Sequence, residues 1–437
     1  MGFILAIFNL VGAMFAYRID KKIYNPMVVM LAIWGVILGF YGFRAYGIND
    51  INDSTYFICA IGLAFFSIGC LCVLCSRRTI SMVHSGSKYS VYTNEAIRYR
   101  LVKVLALIVL LFLLEEAIET FVLIRSGVSL FSVRTSLQGY AEYDFSANLY
   151  WLRKKIGVLY TWFIMPMYNA LILTAVIDFF VGKKDKALIG MALVCLVLKS
   201  FKEGSRLSLL YFAIYLFFSM IIYGKKIELS EKLTKKIRLL LIMAIIGMIA
   251  ISNIRISQGQ KGLFEEIYIY FTCCMPILDT WLENVTSYTH GAMSLYGVIQ
   301  LPVVLLSRIF IGHTPEWYTA GAEAISETET FITIRNADYS TKANAFTTFF
   351  YYFYKDAGIF GVIIGSFLFG VICSMIYKRL KKRLAIGKIP VRLVYVYLLI
   401  IQAIVLSFVR IYSAVASFSF TFLYAFFLIK KDVESKE

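Results

Sequence analysis

The stretch Phe310–Gly361, FIGHTPEWYTAGAEAISETETFITIRNADYSTKANAFTTFFYYFYKDAGIFG, is the longest polar interval in the C-terminal half of the chain. Long apolar segments flank it on both sides. Apolar runs near the length that crosses a bilayer, about 20 residues, recur through the rest of the sequence. The pattern predicts a large loop that membrane-spanning helices hold against a membrane surface. We expect the chemistry in this loop.

The composition is typical of a protein embedded in lipid. Of the 437 residues, 60% are hydrophobic and 16% are charged, whereas soluble domains average about 25% charged residues. No composition shift divides the chain, so we predict one integral membrane domain over residues 1–437, with outer loops at 125–156 and 312–353. We predict no metal site, because the cysteines lie almost wholly in apolar segments and no outer cluster has metal-ligand spacing.

Apolar segments predict an all-α polytopic fold with about thirteen transmembrane helices. The segments lie near residues 2–17, 27–46, 55–76, 101–124, 157–181, 187–200, 206–223, 239–257, 266–284, 291–311, 354–376, 391–409 and 412–429.

Lysine and arginine residues orient these helices. With the C-terminus in the cytoplasm, 28 of the 44 Lys and Arg residues fall in cytoplasmic segments, as the positive-inside rule requires. An odd number of helices then puts the N-terminus outside. This bias, together with anionic lipid head groups, explains the net charge of +17 without nucleic acid as a partner.

The remaining basic residues are enriched in arginine. Nine of these 16 residues are Arg, against nine of the 28 in the cytoplasmic segments. Because a guanidinium binds phosphate through two parallel hydrogen bonds, we predict a polyanionic ligand, such as a diphosphate, on the outer side. The alternative is that these arginines snorkel to head groups or pair with local acids. The candidate diphosphate-binding residues are Arg206, Arg255, Arg335, Arg308 and Arg410.

Arg206 has the clearest pattern of the five. It ends the turn Lys199-Ser-Phe-Lys-Glu-Gly-Ser-Arg206, which joins two apolar segments. It therefore stands in the first turn of the next helix, where free backbone amides also favour an anion. A charge this close to hydrocarbon is a functional hypothesis by default.

Transfer of a group to a hydroxyl also requires a base that takes the proton. Asp356 at the mouth of a helix and Glu203 in the turn before Arg206 are two candidates. His313 is the third, because the predicted topology places the other two histidines on the inner side. With arginines in the place of a cation, we predict a metal-independent reaction that uses no cofactor.

Two segments resemble the oligosaccharide repeat-unit polymerases, the Wzy or O-antigen polymerase group. The first is Lys202-Glu-Gly-Ser-Arg206, and the second runs from Asn344-Ala-Phe-Thr347 to Phe353-Tyr-Lys-Asp-Ala-Gly-Ile-Phe-Gly361. Asp356 lies in the Tyr-x-Asp-x-Gly element, although Ala357 stands where a Phe is common. Asn344 and Tyr354 are the candidate glycan-contacting residues of this loop.

The resemblance implies a C-type glycosyltransferase-like architecture in the bacterial inner membrane. It implies polymerisation of undecaprenyl-diphosphate-linked repeat units at the outer face, for O-antigen, capsule or exopolysaccharide. Its substrates would be the lipid-linked donor and acceptor, with membrane lipids, a chain-length regulator and a flippase as further partners. The alternatives are an O-antigen-type ligase, a polysaccharide flippase or other transporter, and a structural or regulatory membrane protein.

Overall fold

The computed structural model describes residues 1–76, 97–128, 159–203, 205–223, 263–335, 341–385 and 390–430, with isolated residues at 157 and between 235 and 249. The described chain is predominantly helical, as predicted. Within it, four helices are long and apolar enough to cross a membrane, and shorter apolar helices accompany them. These segments indicate a membrane protein. The four long helices are Gly2–Asp20, Asp53–Leu74, Tyr160–Val181 and Thr348–Ala385.

Fourteen α-helices and one β-hairpin are used below to locate residues in the described part of the chain. In order they are α1 (Gly2–Asp20), α2 (Pro26–Gly42), α3 (Asp53–Leu74), α4 (Tyr99–Arg125), α5 (Met165–Val181), α6 (Lys186–Glu203), α7 (Leu207–Tyr223), α8 (Leu263–Thr272), α9 (Cys274–Glu283), α10 (Tyr296–Phe310), α11 (Glu316–Glu327), β1 (Ile332–Arg335), β2 (Thr341–Ala343), α12 (Thr348–Ala385), α13 (Val391–Val405) and α14 (Ala416–Leu428).

The chain divides into two compact units. The second unit comprises Ser87–Leu263, Gly387–Leu398 and Phe420–Glu437. The prediction of one domain over residues 1–437 stays a prediction. The first unit comprises Met1–Gly86, Phe264–Ile386 and Leu399–Ser419.

In the first unit, the ends of three helices meet through charged side chains. Asp20 at the end of α1 accepts a hydrogen bond from the Tyr377 hydroxyl and pairs with the Lys381 ammonium, both in α12. Lys378 Nζ donates to the carbonyl of Val73 near the end of α3, at 2.7 Å. The ends of α1, α3 and α12 therefore lie on one side of this unit.

Helix α12 is a hairpin of two arms rather than one rod. Its backbone leaves the helical region at Ala357 and Gly358, and Gly358 has a φ of +61°, which favours glycine. The ring centroids of Phe349 and Phe369 are 5.9 Å apart, although a straight helix would separate them by about 30 Å. The short arm, residues 348–356, therefore folds back along the long arm, residues 359–385.

The start of the short arm is anchored by an irregular segment between α13 and α14. The backbone N–H of Thr348 donates to the carbonyl of Val409 at 3.2 Å, and that of Phe349 donates to the carbonyl of Ser407 at 2.9 Å. The first amides of a helix have no partner within it, so the carbonyls of this irregular segment satisfy two of them. The indole N–H of Trp34 donates to Ser407 Oγ at 3.0 Å and fixes the segment from the other side.

The predicted span at 266–284 corresponds to two short helices, α8 and α9, of ten residues each. Only Cys273 separates them, and the role of this segment as a crossing stays a prediction. The Tyr268 hydroxyl in α8 accepts from the backbone N–H of Ala45 at 3.0 Å. Glu283 at the end of α9 accepts from Asn52 Nδ2 at 2.6 Å. Both ends of the segment therefore contact the same connection, the one from α2 to α3.

The connection that follows α9 contacts the short arm of α12. The backbone N–H of Thr289 donates to Lys355 O at 2.9 Å, and that of His290 donates to Asp356 O at 3.0 Å. The predicted topology has His290 inside and residue 354 outside, whereas these contacts bring the two segments together. The count of thirteen crossings and the orientation of the helices stay predictions.

The predicted loop 312–353 contains ordered elements, and one of them departs from the all-α prediction. Strands β1 and β2 pair antiparallel, with Ile332 opposite Ala343. The β-branched and aromatic residues of this stretch favour a strand. Ile334 is fully buried and packs against Ile269 and Ile277, of α8 and α9. The other predicted loop, 125–156, lies outside the described residues beyond position 128.

In the second unit, α4, α5, α6 and α7 surround a buried polar network. At one end of α4, the Tyr99 hydroxyl donates to Asp178 Oδ1 at 2.5 Å. Asp185 caps α6 by accepting from the backbone N–H groups of Ala187 and Leu188. A hydrogen bond from Lys103 holds the pKa of Asp185 below its ordinary value. The end of α6 carries the residues that the sequence singled out.

Candidate functional site

The turn from α6 to α7, residues 199–206, brings lysines and a carboxylate together; we call it the basic turn. Lys199 Nζ lies 2.5 Å from Glu203 Oε1. Lys202 Nζ lies 4.0 Å from the same oxygen. The lysines are three residues apart and so follow one another on one side of the helix. A single carboxylate oxygen thus faces two ammonium groups.

Lys202 belongs to a buried three-member network. Its ammonium pairs with the carboxylate of Glu116 in α4 and donates to the hydroxyl of Tyr160 at 3.0 Å. Tyr160 in turn donates to Glu116 Oε2 at 3.1 Å. The side chains of Lys202 and Glu116 are 1% and 0% exposed. Because burial of a charge is costly without a partner, this network fixes the Lys202 ammonium firmly in place.

Arg206 stands at the start of α7, as predicted. Its carbonyl accepts from the backbone N–H of Leu210 at 3.0 Å, the first bond of the helix. Ser205 Oγ accepts from the backbone N–H of Leu207 at 3.2 Å and caps the same end. Arg206 is half-buried. The basic turn therefore ends with an arginine at a helix start, where the free backbone amides favour anions.

A second candidate site lies in the first unit, in a cleft of about 220 Å³. Two carboxylates, a phenol and apolar side chains face it, and we call it the acidic cleft. Its lining residues are Ser54, Thr55, Phe57, Ile58, Asp279, Leu282, Glu283, Tyr354 and Ile359.

Neutral donors hold the carboxylates of the acidic cleft. Asp279 Oδ1 accepts from the Thr55 hydroxyl at 2.5 Å and from the backbone N–H of Asn52 at 2.9 Å. Asn52 Nδ2 donates to Glu283. These contacts orient the carboxylates without neutralising them, so the cleft can accept hydrogen bonds from hydroxyl groups. Tyr354, a predicted glycan-contacting residue, contributes a phenol that both donates and accepts.

Two of the predicted diphosphate-binding arginines have acidic partners. Arg335 Nη1 lies 2.5 Å from Glu265 Oε1, and Arg410 Nη1 lies 3.6 Å from Glu329 Oε1. Asn344 lies close by and donates its side-chain amide to the carbonyl of Glu329 at 2.7 Å. These contacts are the pairs with local acids that are expected if the arginines do not bind a polyanionic ligand. The diphosphate role of both arginines stays a prediction.

The carboxylate of Asp356 is buried and fully engaged. It accepts from the Thr289 hydroxyl at 2.5 Å and from the backbone N–H groups of Met293 and Ser294, each at 3.1 Å. This arrangement ties the short arm of α12 to the loop before α10. An acceptor hydroxyl would have to replace one of these donors, so the contacts favour a structural role for Asp356.

The remaining predicted residues are dispersed. Arg308 and His313 are exposed near the end of α10, and His313 Nδ1 lies 3.3 Å from Thr314 O. The backbone N–H of His290 donates to the carbonyl of Asp356, so a second histidine lies close to this candidate base. Arg255 lies outside the described residues.

Sequence reasoning missed three residues of these sites. Lys199 and Lys202 were counted as basic residues outside the cytoplasmic set, yet their spacing to Glu203 was a signal for a charged cluster. Asp279 falls within the predicted transmembrane segment 266–284 and is not among the predicted site residues. Its spacing to Glu283, four residues along one helix face, was the signal that this segment has a polar side.

Among the residues that the structure describes, no group of three His, Cys, Asp or Glu side chains is placed to hold a metal ion.

The comparisons add no relative to this description. Comparison of the chain with protein-family models, with curated proteins and with solved structures gave no match.

Proposed function

We propose that this chain polymerises lipid-diphosphate-linked oligosaccharide repeat units at the outer face of the bacterial cytoplasmic membrane. The observation that carries the proposal is the basic turn, in which Lys199 and Lys202 adjoin the Glu203 carboxylate and Arg206 begins the next helix. Cations at a helix start are suited to a diphosphate, and an adjacent carboxylate is suited to the proton of a hydroxyl.

The proposed topology has about eleven crossings, with the N-terminus outside and the C-terminus in the cytoplasm. It follows from the sequence prediction by removal of the crossings at 266–284 and 291–311. Contacts within each unit support it, because Asp20 meets Lys381 and Tyr99 meets Asp178, all near predicted cytoplasmic ends. Residues 258–353 then form one large outer region.

In the proposed reaction, the hydroxyl oxygen of the acceptor sugar attacks C1 of the donor glycan. The bond from C1 to the phosphate oxygen breaks, and its electron pair leaves with the lipid diphosphate. Glu203 takes the proton of the attacking hydroxyl, and the cations of the basic turn stabilise the charge of the leaving diphosphate. We prefer Glu203 to Asp356 as the base, because the carboxylate of Asp356 already accepts hydrogen bonds from three donors.

The acidic cleft is proposed to hold a sugar of the glycan. Carboxylates that neutral groups orient are suited to bind sugar hydroxyls, and its apolar wall suits the face of a sugar ring. Its volume is below the about 300–1,000 Å³ of drug-sized sites, which fits one monosaccharide rather than a long glycan.

The test is polymer laddering in cells that depend on this chain for polymerisation. We expect Arg206→Ala to abolish the ladder while single lipid-linked units are still exported and the protein reaches its normal level in the membrane. Arg44→Ala is the matched control, because Arg44 forms an exposed pair with Asp50; its ladder should be unchanged. A normal ladder in Arg206→Ala would refute the diphosphate role of the basic turn. An acceptor-swap assay separates the polymerase from a ligase that uses the same donor.

A transporter is the second candidate, and the interrupted helices favour it. The break at Gly358 and the irregular segment around Ser407 are features of transporters whose broken helices surround a substrate site. A transporter would move lipid-linked units across the membrane and leave the ladder to another protein. Purified protein in vesicles separates the two, because only a polymerase joins units that are already on the outer face.

A further inference from the structure

The position of the Glu203 carboxylate is unusual for an exposed ion pair. Glu203 Oε1 lies between two ammonium groups, 2.5 Å from Lys199 Nζ and 4.0 Å from Lys202 Nζ. The Glu203 side chain is 31% exposed, whereas those of the lysines are 11% and 1% exposed. The anion is thus the accessible partner, and the cations lie beneath it.

The lysines keep their positions without Glu203, each for a different reason. Glu116 and Tyr160 hold Lys202 from the protein interior. The side chain of Lys199 lies against Met165 Sδ, at 3.3 Å, and over the Tyr168 ring, at 5.2 Å from its centroid. A thioether and a ring face are weak acceptors. Lys199 therefore retains a strong demand for an anion that Glu203 satisfies in this structure.

We propose that Glu203 is a resident anion that occupies the place of a phosphate group in the basic turn. The inference rests on the proposed function and deepens it. A polyprenyl diphosphate displaces the carboxylate, and Lys199 and Lys202 then contact its phosphate oxygens alongside Arg206. Lysine serves phosphate as a point charge, so no change of backbone is required.

The exchange of anions also sets the order of the steps in the reaction. While Glu203 is paired with Lys199, the ammonium occupies its carboxylate, which is not available to a hydroxyl group. Displacement by the diphosphate frees the carboxylate to take a proton from a hydroxyl. The acceptor is therefore activated only when the donor is already bound.

Binding of farnesyl diphosphate to the purified full chain in detergent tests this inference apart from turnover. We expect Glu203→Gln to bind this probe about tenfold more tightly than the wild type, because the competing charge is gone. The same variant should lose polymerisation, since the base is absent. We expect Lys199→Gln to bind about tenfold more weakly. Asp50→Asn, which removes the carboxylate of the exposed pair with Arg44, is the matched control and should bind like the wild type.

The outcomes separate the inference from the proposed function. If the wild type binds farnesyl diphosphate and Glu203→Gln binds equally or less tightly, Glu203 is not a resident anion, although the donor site stands. If the wild type does not bind the probe, both the donor site and the inference fail. If Glu203→Gln does not reach the membrane, Lys199→Gln decides, and wild-type affinity in that variant overturns the inference.

Discussion

The basic turn and the acidic cleft differ in the charge of the groups that contact their carboxylates. In the basic turn, lysines face Glu203 and Glu116, so the negative charges are compensated by positive ones. In the acidic cleft, Asn52 and Thr55 hold Asp279 with neutral donors, so its charge is kept. Pairing with cations makes a site ready to exchange one anion for another. Orientation by dipoles makes a site ready to accept hydrogen bonds from hydroxyl groups.

We expect the largest effect on stability from the loss of Glu116, which belongs to the charged network behind the basic turn. Glu116→Leu leaves the Lys202 ammonium buried without its carboxylate, and loss of one partner of a buried pair costs about 3–5 kcal/mol. We expect a clear fall in the melting temperature in detergent. The double variant Glu116→Met with Lys202→Met should recover most of the stability, yet still bind farnesyl diphosphate weakly. A single variant that melts like the wild type would contradict the buried pair.

Gly358→Ala should have the next largest effect, and it acts on the first unit. The φ of +61° at Gly358 strains any other residue, by about 1–3 kcal/mol. The added Cβ would also lie 3.1 Å from Tyr288 Oη. We expect a lower melting temperature and loss of the acidic cleft, which neighbouring Ile359 lines. Gly39→Ala in α2 is the control, since its Cβ would meet only a side chain at 3.7 Å. Equal melting of the two variants would argue against the hairpin of α12.

Asp279→Asn should separate the two sites more finely. The amide keeps the shape of the carboxylate and loses its charge, and hydrogen bonds to neutral groups are weaker by about 1 kcal/mol. We expect a small loss of stability and a roughly tenfold higher KM for the acceptor, with unchanged affinity for farnesyl diphosphate. The readouts are initial rates with purified lipid-linked units and probe binding. If the variant weakens probe binding instead, the division of labour between the sites is wrong.

Glu283→Gln should have the smallest effect. Glu283 accepts from Asn52 at an exposed position, where substitutions change stability by about 0.5 kcal/mol or less. We expect a melting temperature near that of the wild type and a modest rise in the acceptor KM. A larger rise than in Asp279→Asn would make Glu283 the main sugar-binding carboxylate of the cleft.

Hydropathy located most of the helices but not the partners of their apolar faces. Helices lie close to the predicted segments at 55–76, 101–124 and 206–223, because long apolar runs have few alternatives to a helix in lipid. The segment 266–284 has a similar composition but forms two short helices that pack against Ile334 of the β-hairpin, and a hydropathy window does not distinguish protein from lipid. Pro276 and Asp279 were the local signs of the difference.

The candidate sites were predictable only where their residues are close in sequence. The turn that contains Glu203 and Arg206 could be recognised from its charges and glycine. The pairing of Lys202 with Glu116 joins residues 86 positions apart, and no local pattern specifies it. The acidic cleft likewise joins Thr55, Asp279 and Tyr354 from three distant segments.

The folded-back arm of α12 has a consequence for how the chain is made. Residues 348–356 are about 13 Å long as a helix, far short of the about 30 Å of hydrocarbon that a span must cross. This arm is therefore too short to be inserted as a transmembrane span. It must enter after the long arm is in place and after Val409 and Ser407 can receive its first amides. The order of biosynthesis, in which residue 409 follows residue 348, thus makes this arm a late step of assembly, after most of the chain has been synthesised.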